Sequence, residues 1–129
     1  MQPVSATTEG IRVEVVSEYV PSMSRPMQSA WLFAYTIRIH NEGQTPARLV
    51  RRHWLIMNAE GKVSEVRGDG VIGETPRLIP GESFEYTSAC PLDTPFGTMK
   101  GTYEMVRDSG QEFVVTIPTF TLVQPWALN

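Results

Sequence analysis

Ten prolines punctuate this chain of 129 residues from end to end, and they strongly limit what it can fold into. They stand at positions 3, 21, 26, 46, 76, 80, 91, 95, 118 and 125. Each proline lacks a backbone donor and restricts the residue before it, so long helices are disfavoured. The stretches between prolines are rich in Val, Ile, Thr and aromatic residues, which suit β-strands.

Alternation of apolar and polar residues predicts the strands themselves. In the clearest one, residues 31–41, Trp31, Phe33 and Tyr35 share a face, while Thr36 and Arg38 share the opposite face. Six further stretches predict strands, at residues 11–20, 47–57, 62–66, 84–90, 101–107 and 112–122. Seven or eight short strands with frequent turns predict an all-β protein, an antiparallel β-sandwich.

Length and composition limit the number of domains and the kinds of partner and compartment that we expect. The chain suits a single domain, residues 1–129, with an ordered core at about residues 10–123 and loose ends outside it, unless Trp126 docks back on the domain. A net charge of −3 disfavours a nucleic-acid partner, and no apolar run is long enough to cross a membrane. One cysteine and a start unlike a signal peptide predict a cytoplasmic protein.

Gly68, Gly70 and Gly73 form the pattern G-x-G-x-x-G. In dinucleotide-binding folds these glycines cradle a phosphate at the start of a helix. Here Pro76 and Pro80 leave no room for that helix, which favours a wide turn in which glycines adopt positive φ. A backbone nest that binds phosphate without a helix stays open as the alternative.

The densest positive region of the chain is Arg51, Arg52 and His53, with Arg48 just upstream. In a regular strand, Arg51 and His53 share one face, and Arg52 joins Arg48 and Trp54 on the other. The consecutive arginines then form one patch only if a bulge or a strand edge brings them together. These arginines either pair with glutamates of neighbouring strands, such as Glu65, or bind an anion or a partner beside the glycine-rich loop.

The sequence offers little for metal binding or catalysis. It has two histidines, one cysteine and no zinc- or calcium-binding spacing, so we expect no metal and no cofactor. Cys90 falls on a buried strand face, where a thiol is usually inert, and we expect no enzyme. The loop at residues 92–97 presents Phe96 as an exposed apolar anchor. An edge strand could also add a partner's strand or form a homodimer.

Several long blocks of the sequence resemble, in order, the ApaG family. The blocks are FAYTIRI at 33–39, RRHW at 51–54, EVRGDGVIG at 65–73, PGESFEYTS at 80–88, GTMKGTYEM at 97–105 and FVVTIPTF at 113–120. The resemblance covers about residues 10–123 and implies an immunoglobulin- or fibronectin-type-III-like sandwich. It also implies a genetic link with cobalt and magnesium tolerance. Related domains in F-box proteins and in a protein that interacts with a DNA polymerase subunit imply a binding module without catalytic activity.

We therefore expect a small non-catalytic β-sandwich module that recognises an unknown protein partner. The alternative is a nucleotide- or anion-binding sensor that uses the loop at residues 68–73. The candidate ligand or partner surface consists of Gly68, Gly70, Gly73, Arg51, Arg52 and Phe96.

Overall fold

The structure, a computed structural model, describes residues 3–125, so Trp126 and any docking of its side chain lie outside the described part. Nine strands make up nearly all of the regular structure. They are β1 (Val4–Thr8), β2 (Ile11–Tyr19), β3 (Trp31–Asn41), β4 (Ala47–Asn58), β5 (Val63–Asp69), β6 (Arg77–Leu78), β7 (Ser83–Leu92), β8 (Phe96–Arg107) and β9 (Glu112–Val123). Two 3₁₀ turns, Pro21–Met23 and Pro26–Gln28, lie between β2 and β3.

The strands form two antiparallel sheets that face each other. One sheet has the order β1-β2-β3-β7, and the other has the order β5-β4-β8-β9, with the short β6 also paired to β4. Without β1 and β6 this is the fibronectin-type-III arrangement, so the predicted all-β sandwich is confirmed. The core lies between the sheets, where the apolar sides of the strands meet. Its largest fully buried side chains include Tyr103, Phe33, Ile37, Leu49 and Leu122.

Two strands were not predicted, and both depend on distant partners. The loose end expected at residues 1–9 is wrong, because β1 pairs with β2 and places Ala6 opposite Val13. The two residues of β6 pair with the start of β4. The loop expected from Pro91 onward is also displaced, since β7 continues to Leu92. Pro91 is tolerated there because β7 is an edge strand, where a missing backbone donor costs no ladder hydrogen bond.

A β-bulge in β4 decides which side chains of the arginine region face the core. The register of β4 against β8 shifts between Leu49 and Arg51. Leu49 is buried before the bulge and Trp54 after it, so the inward positions change from odd to even numbers. Arg48 and Arg51 therefore face solvent together, and Arg52 lies on the inner side with Trp54. The prediction that Arg52 shares a face with Arg48 is wrong, because the extra residue reverses the alternation.

Candidate functional site

The glycine-rich segment is a tight turn at the end of β5. Gly70 and Gly73 adopt positive φ angles of 60° and 79°, as the turn interpretation requires. Val71 and Glu74 exchange two backbone hydrogen bonds of 2.8 and 2.9 Å, which close the turn. The next strand is the two-residue β6, so no helix follows the glycines. The turn is confirmed by this geometry.

Among residues 3–125, the Gly70 and Val71 N–H groups of this turn have backbone acceptors, whereas the Ile72 and Gly73 N–H groups have none. The Gly70 N–H donates to the Val50 carbonyl at 2.7 Å, and the Val71 N–H donates to the Glu74 carbonyl. A phosphate nest needs consecutive N–H groups that converge on the ligand. Anion binding at residues 68–73 thus stays a prediction.

Arg52 holds the turn in place from the inner side of the sheet. Its Nη1 atom donates to the carbonyls of Asp69 and Gly70, each at 2.9 Å. The guanidinium lies across Gly68, where a Cβ atom would come within 2.7 Å of Nη2. A side chain at position 68 would therefore displace the Arg52 guanidinium. Arg52 holds the turn through its two carbonyl contacts and is not a free anion ligand.

The outer face of the second sheet carries a row of ion pairs. Arg51 Nε donates to Glu104 at 2.8 Å, so this arginine pairs with a glutamate of β8. Glu65 contacts His53 at 3.0 Å and Arg67 at 3.3 Å. Hydrogen bonds from His53 and then Arg67 lower the pKa of the Glu65 carboxyl. The expected pairing of these arginines with glutamates of neighbouring strands is confirmed for Arg51 only. Arg52 donates to backbone carbonyls instead, and Glu65 contacts His53 and Arg67.

Phe96 lies far from the arginines, so the predicted residues do not form one surface. It is the first residue of β8 and pairs with Val123, so it lies in a strand and not in a loop. Its side chain is exposed, as predicted, with 37% of its surface accessible. The neighbouring Thr98 lies opposite Met57, at the far end of β4 from Arg51. Six residues of strand separate Met57 from Arg51, about 20 Å at about 3.3 Å per residue.

A groove that the sequence did not reveal opens between the two sheets. At one side the sandwich is closed, since Ser17 Oγ of β2 donates to the Thr121 carbonyl of β9 at 2.7 Å. At the opposite side, β5 and β7 leave a groove of about 560 Å³. Lys62 and Asp93 lie on its rim. Its apolar wall consists of Ile56, Val66, Cys90, Pro91 and Leu92.

β5 borders this groove with an edge that no other strand of residues 3–125 covers. The Asn58 N–H donates to the Lys62 carbonyl, and the Gly70 N–H donates to the Val50 carbonyl. These two bonds at the ends of the β4–β5 hairpin determine which residue pairs between them are hydrogen-bonded. Antiparallel strands alternate between bonded and non-bonded pairs. Even-numbered residues of β5 therefore bond to β4. The backbone groups of Val63, Glu65 and Arg67 point away from β4.

The groove does not present an activated nucleophile. Burial raises the pKa of the Cys90 thiol to about 11, so the thiol is protonated near neutral pH. Within residues 3–125, no three His, Cys, Asp or Glu side chains gather where they could hold a metal ion. No helix of these residues is long and apolar enough to cross a membrane. The chemistry that the groove offers is apolar contact beside a free strand edge.

Only a weak signal in the sequence pointed to this edge. Val63 and Val66 are exposed valines on a short strand, with 57% and 39% of their surfaces accessible. The pattern predicted the strand but not that its outer side stays open, because the groove joins strands of two different sheets. The predicted candidate residue Gly68 lies near the end of the same strand, and Arg52 of β4 lies opposite it, whereas Phe96 lies in β8.

Comparison with known proteins agrees with the sequence blocks that resemble the ApaG family. The model of the ApaG domain family matches residues 21–107. The protein named ApaG from Anaeromyxobacter dehalogenans (strain 2CP-C) is 54% identical over 125 residues, covering 97% of this chain and 98% of the relative. The protein named ApaG from Bordetella pertussis is 51% identical over 119 residues, covering 92% and 91%.

A solved structure supports the same conclusion. A crystal structure of a Bordetella pertussis protein, described as an ApaA protein, superposes with a TM-score of 0.88 at 52% identity. The match covers 90% of this chain and 94% of that one. Sequence blocks, strand order and relatives thus coincide over nearly the whole chain. The chain belongs to the ApaG domain family.

Proposed function

We propose that this chain is a non-catalytic binding module that takes up an extended segment of another protein along β5. The observation that carries the proposal is the pairing of a free strand edge with an apolar groove. Val63, Glu65 and Arg67 offer outward backbone groups, and Val66 and Leu92 line the groove beside them. An extended peptide that adds to a sheet edge uses both kinds of contact.

The geometry also limits the chemistry of the partner segment. Side chains of an added strand alternate between the two faces of the sheet. One set would enter the apolar groove, and the other set would lie beside Glu65 and Arg67 on the charged outer face. The partner segment therefore alternates apolar side chains with polar or charged ones.

Absence of catalysis is part of the same proposal. The buried, protonated Cys90 gives the groove no thiolate, and the tyrosines behind it are held protonated by burial, which raises the pKa of Tyr86 and Tyr103. We place the module in the cytoplasm, where a single thiol stays reduced.

The link to cobalt and magnesium tolerance that the family resemblance implies is assigned here to the partner. Several carboxylates on the surface of this chain are already in ion pairs with cationic side chains. Glu104 pairs with Arg51, and Asp108 pairs with Arg77. A divalent cation at these carboxylates would have to displace an arginine.

A peptide-display experiment tests the proposal. Random peptides displayed on phage are selected on the folded wild-type chain, and their affinities are then measured for two variants. Glu65→Pro removes an outward N–H without removing a bond to β4, whereas Glu65→Ala removes the same carboxylate and keeps that N–H. We expect Glu65→Pro to bind the selected peptides about tenfold or more weakly than Glu65→Ala. Equal affinities for the two variants, or failure to select any peptide, would refute strand addition at β5.

A further inference from the structure

We propose that the β5 edges of two copies of this chain pair antiparallel about a two-fold axis at Val66. The proposal rests on the free edge described under the proposed function, but not on the existence of a partner peptide. In this proposal the strand that pairs with the free edge of β5 is β5 of a second copy of the chain, in one defined register. Charge complementarity along β5 carries the argument.

β5 is better suited to such pairing than the edge strands β7 and β9. The edge strand β7 includes Pro91, which has no N–H to donate. β9 contains Pro118, and its Thr116 N–H already donates to the Thr8 hydroxyl of β1 at 3.2 Å. β5 contains no proline.

The direction in which each backbone group of β5 points limits the registers in which two β5 strands can pair. Outward-pointing residues must lie opposite outward-pointing residues, since only they can exchange hydrogen bonds across the new interface. Three central registers satisfy this condition. They centre the two-fold axis on Glu65, on Val66 or on Arg67.

The charges distinguish these three registers. An axis at Glu65 places the two Glu65 side chains opposite each other, and an axis at Arg67 does the same for the two arginines. Like charges directly opposite each other in a sheet are destabilising. With the axis at Val66, each Glu65 lies opposite Arg67 of the other copy, and both pairs are attractive. Among these three central registers, only the one centred on Val66 therefore makes the charges of β5 self-complementary.

The resulting dimer would use the same backbone groups that a partner peptide needs. Both copies would contribute their outward N–H and C=O groups at Glu65 and Arg67, so a paired edge could not accept another strand. Self-association and partner binding would exclude each other. Dilution or an excess of peptide would then convert dimer into occupied monomer.

Charge reversal provides a decisive test by sedimentation equilibrium. Wild-type chain should dimerise as its concentration rises. Glu65→Lys alone and Arg67→Glu alone should each weaken the dimer by about tenfold or more, because each places two like-charged pairs across the interface. An equimolar mixture of the two variants should dimerise again. In the mixed dimer the introduced lysine of one variant faces the introduced glutamate of the other, and the native Arg67 of the first faces the native Glu65 of the second.

The mixture separates pairing between chains from effects within one chain. Glu65 and Arg67 also contact each other within β5, but mixing two variants changes nothing inside either chain. Wild type that stays monomeric at its highest soluble concentration overturns the proposal. A mixture that remains monomeric while wild type dimerises overturns this register. Neither result decides peptide binding, which is measured on chain diluted to the monomeric state. A chain that dimerises but whose diluted monomer selects no peptide refutes only the proposed function.

Discussion

Two buried tyrosine hydroxyls make the most specific prediction about stability. Tyr86 and Tyr103 hydrogen-bond each other between the sheets, and Tyr103 is fully buried. Among the described residues neither hydroxyl has another hydrogen-bond partner. Replacing one tyrosine by phenylalanine leaves the other hydroxyl buried and unpaired. That state costs about 1–3 kcal/mol of the free energy of unfolding.

Replacing both tyrosines removes both polar groups together. Tyr86→Phe with Tyr103→Phe should therefore lower the free energy of unfolding by no more than about 1 kcal/mol, which is at least about 1 kcal/mol less than the sum of the two single changes. Urea denaturation followed by circular dichroism measures all three variants, and the melting temperature should move by about 3–6 °C per kcal/mol. Tyr19→Phe, at a half-buried ring beside Phe33, is the control and should change little. Additive losses within about 0.5 kcal/mol would refute the reasoning.

Three further changes probe the turn, the sheet and the buried thiol. Arg52→Ala leaves the Asp69 and Gly70 carbonyls without their donor. It should lower the free energy of unfolding by about 1–2 kcal/mol and speed amide hydrogen exchange in the turn. Unchanged exchange would contradict the structural role of Arg52. Gly101→Ala places a Cβ against the His53 carbonyl oxygen, and should lower the free energy of unfolding by about 1–3 kcal/mol in thermal denaturation. An unchanged stability would contradict this close approach. Burial raises the pKa of Cys90 from 9.0 to about 11, so between these pH values the unfolded chain binds fewer protons than the folded chain. The free energy of unfolding should then fall as pH rises through this window, and Cys90→Ala should make the fall shallower; an identical pH profile would contradict the shift.

The fold was largely predictable because its strands carry local alternation. β3 has the same bounds as its prediction, since one face is continuously apolar and turn residues follow it. β1 escaped prediction because its Ser and Thr residues give a weak pattern, and its pairing with β2 depends on residues beyond its own segment. β7 can continue through Pro91 because β7 lies at the edge of its sheet. That position is defined only once the sheet has assembled.

The candidate site was less predictable, for a related reason. The turn at residues 68–73 follows from its glycines, which local sequence reveals. The role of Arg52 does not, because the bulge before it arises from the register between β4 and β8. The groove depends on two strands, β5 and β7, that belong to different sheets and meet only in the folded chain. The surface proposed from sequence thus included the end of β5, at Gly68, but not the free backbone edge of the same strand.

Amide hydrogen exchange along β5 tests the central claim most directly. In chain diluted to the monomeric state, the amides of Val63, Glu65 and Arg67 should exchange much faster than those of Ser64 and Val66, which bond to β4. Saturation with a selected peptide should protect the three odd-numbered amides and leave the even-numbered ones nearly unchanged. Equal protection of both sets in the free chain, or protection by peptide elsewhere than β5, would contradict a free edge that receives a partner strand.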